Sequence, residues 1–199
     1  MRGASLRHAK WHTHPNAVGA GARMRDWLTT AGSLTARLVA HSEAFRVQRL
    51  HQRSALCLPD EARAIGLPRP ERVWEREVLL RCDGEPVVFA HTVVPSSATA
   101  SDWPLFSALG ERSLGSTLFY DPQVTRGPLE FARIRPGHPL ARRAHAALGL
   151  GPLGPFSGAP IFHARRCVYR RHQGLLMVTE VFLPAVLNLA AAATIKNAK

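Results

Sequence analysis

Acidic residues are scarce in this chain: 14 Asp and Glu stand against 26 Lys and Arg, a formal charge of +12 over 199 residues. Such a balance creates a positive field that favours anionic partners without naming them. Only three cysteines occur, Cys57, Cys82 and Cys167, far apart and in no Cys/His spacing. Neither a disulfide framework nor a zinc site is supported, and a reducing cytoplasm is the expected location. The longest apolar stretches, at 175–183 and 184–194, fall well short of the roughly 20 residues that span a bilayer. The N-terminus, MRGASLRHAKWHTHP, is basic but lacks the apolar run of a secretory signal. Residues 1–25 read as a flexible basic tail.

Several chemistries are missing too. The ten histidines include no HExxH and no carboxylate spacing typical of a metal site, so no metal is expected. The stretch LGLGPLG at 148–154 neither follows a buried strand nor opens a helix, as a dinucleotide-binding loop must. No serine sits in GxSxG and no cysteine has neighbours that would activate it. The charge comes without a zinc finger, an RNA-recognition motif or a helix-turn-helix, so a nucleic-acid partner is not expected. Arginine far outnumbers lysine, which suits planar, bidentate recognition of carboxylate or phosphate.

What is present reads as one domain. Met24–Ala40 predicts two short helices, with Ser33 capping the second and Trp27, Leu28, Leu34 and Leu38 facing inward. The proline-bearing LCLPDEARAIGLPRP predicts a connection with one helical turn. Trp74–Leu80 and Pro86–Val94 are rich in strand formers and flank CDGE, a hairpin signature. A short helix is expected over Ser113–Leu118, a strand over Leu129–Ile134 and a helix over His138–Leu148. Ile161–Arg171 and Leu175–Leu183 form a second candidate hairpin across HQG, before a C-terminal tail at 186–199. Helices followed by antiparallel hairpins describe an α+β fold, an antiparallel sheet with helices on one side.

Two ionisable residues interrupt apolar strands. In Leu175–Leu183 every residue except Glu180 and Thr179 is apolar, and an isolated buried carboxylate costs several kcal/mol or more. Either Glu180 works as a tuned acid or hydrogen-bonding group, or it sits at a sheet edge, or it pairs with a structural arginine such as Arg165 or Arg166. In Pro86–Val94, His91 is the odd residue among Val87, Phe89 and Val93. It is either a satisfied core histidine or a functional one.

Three blocks, WEREVLLRCDGEPVVFAHTVVP, LGERSLGSTLFYDPQVTRGPLEFARI and RRHQGLLMVTEVFLPA, resemble consecutive blocks of the chorismate pyruvate-lyase family, over about residues 26–185. The resemblance implies an antiparallel sheet whose internal pocket is closed by flaps. It implies elimination of pyruvate from chorismate to leave 4-hydroxybenzoate for ubiquinone synthesis, without metal or organic cofactor, by a monomeric cytoplasmic enzyme. The family's pocket glutamate falls on Glu180, and its pocket-lining apolar positions fall on Leu34 and Leu129. Its carboxylate-binding arginine, read as preceding TVVP, is replaced by His91, with Arg126, Arg165 or Arg166 as alternative sources of charge. Glu180 and His91 are thus expected to form the two polar ends of one pocket. The passage at 136–160 is expected to be a lid or a surface loop. The rival reading is a small-molecule sensor of related fold, the kind that regulators carry beside a DNA-binding domain; the residues before Asp26 are too few for such a domain.

Overall fold

In the computed structural model of the chain, residues 8–99, 101–150 and 160–189 are described. The sheet grows from two hairpins. β2 (Arg72–Cys82) and β3 (Glu85–Pro95) pair antiparallel around Asp83 and Gly84. Both turn residues have positive φ, 51° and 85°, the left-handed pair whose twist matches that of the flanking strands. β6 (Phe162–Arg171) and β7 (Gly174–Phe182) pair likewise, turning at His172. β7 then lies against β3, which joins the hairpins. β1 (Phe45–Leu56) adds outside β2, while β4 (Val124–Arg126) and β5 (Glu130–Ile134) share the far edge of β6. All pairings are antiparallel, in the order β1-β2-β3-β7-β6-β4 with β5 beside β6.

The α+β class and the antiparallel sheet are as expected, but helices cover both faces. α1 (Ala22–Leu28), α2 (Leu34–Ala40) and α4 (Leu114–Tyr120) lie over one face, hereafter the pocket face. Ser33 caps α2, its hydroxyl accepting the Ala36 N–H at 3.3 Å, and Trp27, Leu28, Leu34 and Leu38 are buried. α3 (Pro59–Ala64) and α5 (Pro139–Ala147) cover the reverse face, where Ile65, Leu140, Ala141 and Ala144 pack on Leu79, Phe89, Val93 and Val181. The physical reason is that β2, β3 and β7 are apolar on both sides, so a one-sided arrangement would leave half of that surface wet.

Two further expectations are corrected. From residue 8 the N-terminal segment is not a loose tail: Trp11 donates to Asp60 at 2.7 Å, His12 bridges Phe131, and Val18 and Ala20 are buried. At the other end Val186 and Leu189 are buried, so the core extends past 185, while residues 190–199 lie outside the described residues. β1 was not anticipated at all.

Register sorts the polar residues. Ala90 stands opposite Glu180 and His91 opposite Thr179, and successive side chains point to opposite faces. Glu180 therefore lies on the pocket face and His91 on the reverse face. His91 has no exposed side-chain surface; its Nδ1 bonds Glu77 at 3.0 Å and its Nε2 is 3.0 Å from Glu61, out of line for a hydrogen bond. Arg143 bridges Glu77 and Glu75 at 2.8 and 3.0 Å, and His51 and Arg53 reach Glu75 from β1. His91, expected to bind substrate, is instead the buried cation of this network.

Burial alone would push the His91 imidazole down, but the Glu61 and Glu77 carboxylates overcome it and hold the group up at about 10. Its folded-state value thus exceeds its ordinary 6.5, so its stabilisation is complete below that value and is lost as pH rises toward 10. Replacing His91 with Gln should cost about 3 kcal/mol, as expected for breaking a buried pair. Urea unfolding at several pH values measures this: the deficit should be largest near pH 6 and shrink toward pH 10. A deficit that grows with pH would contradict the assignment.

Candidate active site

On the pocket face, β2 presents Arg76, Val78 and Leu80, β3 presents Thr92 and Ala90, and β7 presents Val178 and Glu180. These floor a recess with about 540 Å³ of unfilled space, the open solvent at its mouth included. Two segments cover it. One is the start of α2, with Leu34 and Thr35; the other is residues 113–119, with Leu114, Gly115, Leu118 and Phe119. They meet where Thr35 Oγ1 and Ser113 Oγ lie 2.6 Å apart. A Cβ on Gly115 would come within 3.0 Å of Thr35 Oγ1, so this close approach favours glycine.

Inside this apolar setting stand three guanidinium groups and one carboxylate, Arg76, Arg126, Arg165 and Glu180. Arg76 is 2% exposed. Its Nη2 donates to the carbonyls of Gly110 and Arg112 at 3.0 and 2.9 Å, while its buried Nε has no partner among the described residues. Burial, helped by the nearby Arg49, pulls it down to about 10, so it stays charged at neutral pH. Arg165 gives its Nε to Glu180 and its Nη1 to the carbonyls of Leu28 and Thr30. Arg126 donates to the Ala31 carbonyl, lies 5.5 Å over the Phe119 ring and keeps a buried Nε without a partner among the described residues. Burial raises the neighbouring Tyr169 phenol and Cys167 thiol, which keeps both neutral.

Of the expected site residues, Glu180, Leu34 and Arg126 line this recess together. Leu129 packs into the apolar clusters beside it. His91 is on the other side of the sheet, and so is Arg166, which pairs with Glu130 at 2.8 Å and with Asp60. The pairing of Glu180 with Arg165 shows that two readings of Glu180, pocket group and ion-paired carboxylate, hold at once. Sequence reasoning missed Arg76 and Leu114. Arg76 carried the same signal as Glu180, a charge on a strand face that is otherwise apolar from Trp74 to Leu80.

The passage at 136–160, expected to be a lid or a surface loop, does not cover the recess where it is described, because α5 packs on the reverse face. Residues 151–159 lie outside the described residues. On the reverse face, His51, Glu75 and Glu77 bring possible metal-ligand atoms within 4.8 Å of one another. Arg53 and Arg143 already oppose those carboxylates, so the cluster's charge is met by guanidinium groups. No helix among the described residues is long and apolar enough to cross a membrane.

Solved structures share this fold at low identity. PhnF from Mycobacterium smegmatis aligns with a TM-score of 0.52 and 16% identity, covering 78% of this chain and 65% of that one. A transcriptional regulator of the GntR family from Bacillus cereus aligns at 0.50 and 12%, covering 70% and 92%. At such identities the likeness is one of fold. Relatives are far closer in sequence: the probable chorismate pyruvate-lyase of Cupriavidus metallidurans is 48% identical, over 92% of this chain and 84% of its own length. The protein of the same description from Ralstonia nicotianae is also 48% identical, over 94% and 95%. With the chorismate lyase family model matching residues 5–191 as well, the chain belongs to the chorismate lyase family.

Proposed function

We propose that this protein cleaves chorismate to 4-hydroxybenzoate and pyruvate, with the recess on the pocket face as its active site. The observation that carries the reading is the charge of that recess. Three guanidinium groups against one carboxylate leave two positive charges in an apolar enclosure, a complement to a substrate with two carboxylates.

In the reaction the C4–H bond breaks, and its electron pair becomes the new ring π bond while the C3–O bond opens. The side chain leaves as enolpyruvate and takes a proton at its methylene carbon to become pyruvate. Aromaticity supplies the driving force, so the protein's task is to hold, orient and desolvate the substrate. Arg76 is the ring-carboxylate ligand. Two backbone carbonyls already fix its fork, so little entropy remains to be lost on binding. Glu180, steered by Arg165 through one oxygen, accepts the ring hydroxyl with the other and assists the proton's departure from C4. Leu34, Leu114, Val78 and Ala90 enclose the ring and exclude water. The three cysteines are free and buried, which fits a reducing cytoplasm, where a monomer of this protein would supply 4-hydroxybenzoate for ubiquinone synthesis.

Incubation of the purified protein with chorismate should yield 4-hydroxybenzoate and pyruvate in equal amounts; absence of both would overturn the proposal. Replacing Arg76 with Met should weaken binding of chorismate and of 4-hydroxybenzoate alike. A charged hydrogen bond contributes about 1.5–3 kcal/mol, or roughly 10- to 150-fold in affinity. Titration of each ligand tests this, and unchanged affinity would remove Arg76 from the carboxylate role. Glu180→Gln should lower kcat by about 100-fold or more, the usual scale for a group that assists proton transfer. The variant should remain folded, though with a lowered melting temperature because Arg165 loses its charged partner; full turnover would place the chemistry elsewhere.

A further inference from the structure

We infer that Arg126 binds the carboxylate of the substrate's enolpyruvyl side chain, and is thereby the residue through which the site distinguishes chorismate from its aromatic product. The inference rests on the lyase reading above and adds to it a division of labour among the pocket's cations.

Donors decide which cation is available. Arg165 already has its Nε on Glu180 and its Nη1 on the carbonyls of Leu28 and Thr30. Arg76 and Arg126 each retain a buried Nε with no partner among the described residues. A buried donor left unpaired is costly, and an arriving carboxylate relieves that cost. Near Arg126 stand the Cys167 thiol and the Tyr169 phenol, which burial keeps neutral, so neither offers the guanidinium a negative charge. Its Nη1 is anchored on Ala31 and its plane rests on Phe119, so the remaining donors are held in place.

Position then assigns the ligand groups. The sheet order places Arg76 on β2, Glu180 on β7 and Arg126 on β4, so Glu180 falls between the two arginines. Two strand spacings separate each neighbouring pair, about 10 Å at the backbone, and side chains reach inward across that gap. Chorismate carries its ring carboxylate and ring hydroxyl at opposite ends of the ring, with the enolpyruvyl ether on the carbon next to the hydroxyl. A ring carboxylate at Arg76 and a hydroxyl at Glu180 direct the side chain past Glu180, toward β6 and β4, where Arg126 stands. The product keeps the first two groups and lacks the third.

The test compares two ligands on one variant. Arg126→Gln should raise the Kd and KM for chorismate by about tenfold or more, while the Kd for 4-hydroxybenzoate stays within about threefold of the parent value. Arg126→Lys, which keeps the charge but not the fork, should recover part of the chorismate affinity and serves if the Gln variant does not fold. In the parent protein, free pyruvate should compete with chorismate, and Arg126→Gln should abolish that competition. Equal losses for both ligands, or an unchanged chorismate Kd, would overturn the assignment. Failure of the parent protein to release product would strike the lyase reading instead. The ligand comparison, read by binding alone, would still decide whether Arg126 selects the dicarboxylate.

Discussion

The antiparallel register between β3 and β7 is the constraint on which the rest depends. Ala90 faces Glu180 and His91 faces Thr179, and a strand's side chains alternate between faces. This pairing puts one ionisable residue on each side of a sheet covered on both sides. A slip of one residue would bring the two onto the same face, sending Glu180 into the reverse-face network if β7 moved or His91 into the recess if β3 moved. Either charge would then meet like-charged neighbours, Glu180 among Glu61 and Glu77 or His91 beside Arg165. That penalty helps to make the register specific.

The two faces treat buried charge in opposite ways. On the reverse face Glu61, Glu75 and Glu77 are met by His91, Arg143, His51 and Arg53, so the network closes on itself. Burial alone would raise Glu77, yet His91 and Arg143 bring it to about 2, the mark of a carboxylate stabilised as an anion. On the pocket face the balance is left open, with three guanidinium groups against Glu180. Uncompensated cations under a lid of apolar side chains destabilise the empty protein, and a ligand of opposite charge removes that penalty. Stability is supplied by one side of the sheet while the other keeps an unmet need.

Much of this was legible in the amino-acid sequence, for identifiable reasons. The CDGE hairpin follows from turn chemistry and period-two alternation, and α2 from its Ser33 cap; both are local signals. β1 was hidden because FRVQRLHQRSAL is half polar, as befits an edge strand whose arginines discourage pairing with another chain. Within one strand, alternation exposes an odd residue but not what that residue meets across the sheet. His91 and Glu180 were therefore both visible as anomalies and wrongly assigned to one pocket. The same test applied to β2 would have found Arg76, but that strand carries Glu75 and Glu77 as well. With three charges in succession, the face holding a lone arginine is obscured until the strand's partners are known.

The covers and the binding groups form a single mechanical unit. Arg165 and Arg126 hold the carbonyls of Leu28, Thr30 and Ala31 at the entrance to α2, and Arg76 holds those of Gly110 and Arg112 ahead of α4. Each guanidinium thus has one arm on a covering segment and another toward the recess or Glu180. A fork fixed in this way can no longer rotate freely, so its orientation is set before a ligand arrives. The reverse also holds: a covering segment that lifts must surrender charge-assisted hydrogen bonds to its backbone and leave a buried guanidinium less satisfied. An anion that binds the free arm lowers the electrostatic cost of keeping the guanidinium buried, which strengthens the hold on the cover. Closure and ligand binding are therefore coupled through the same side chains, without a separate latch.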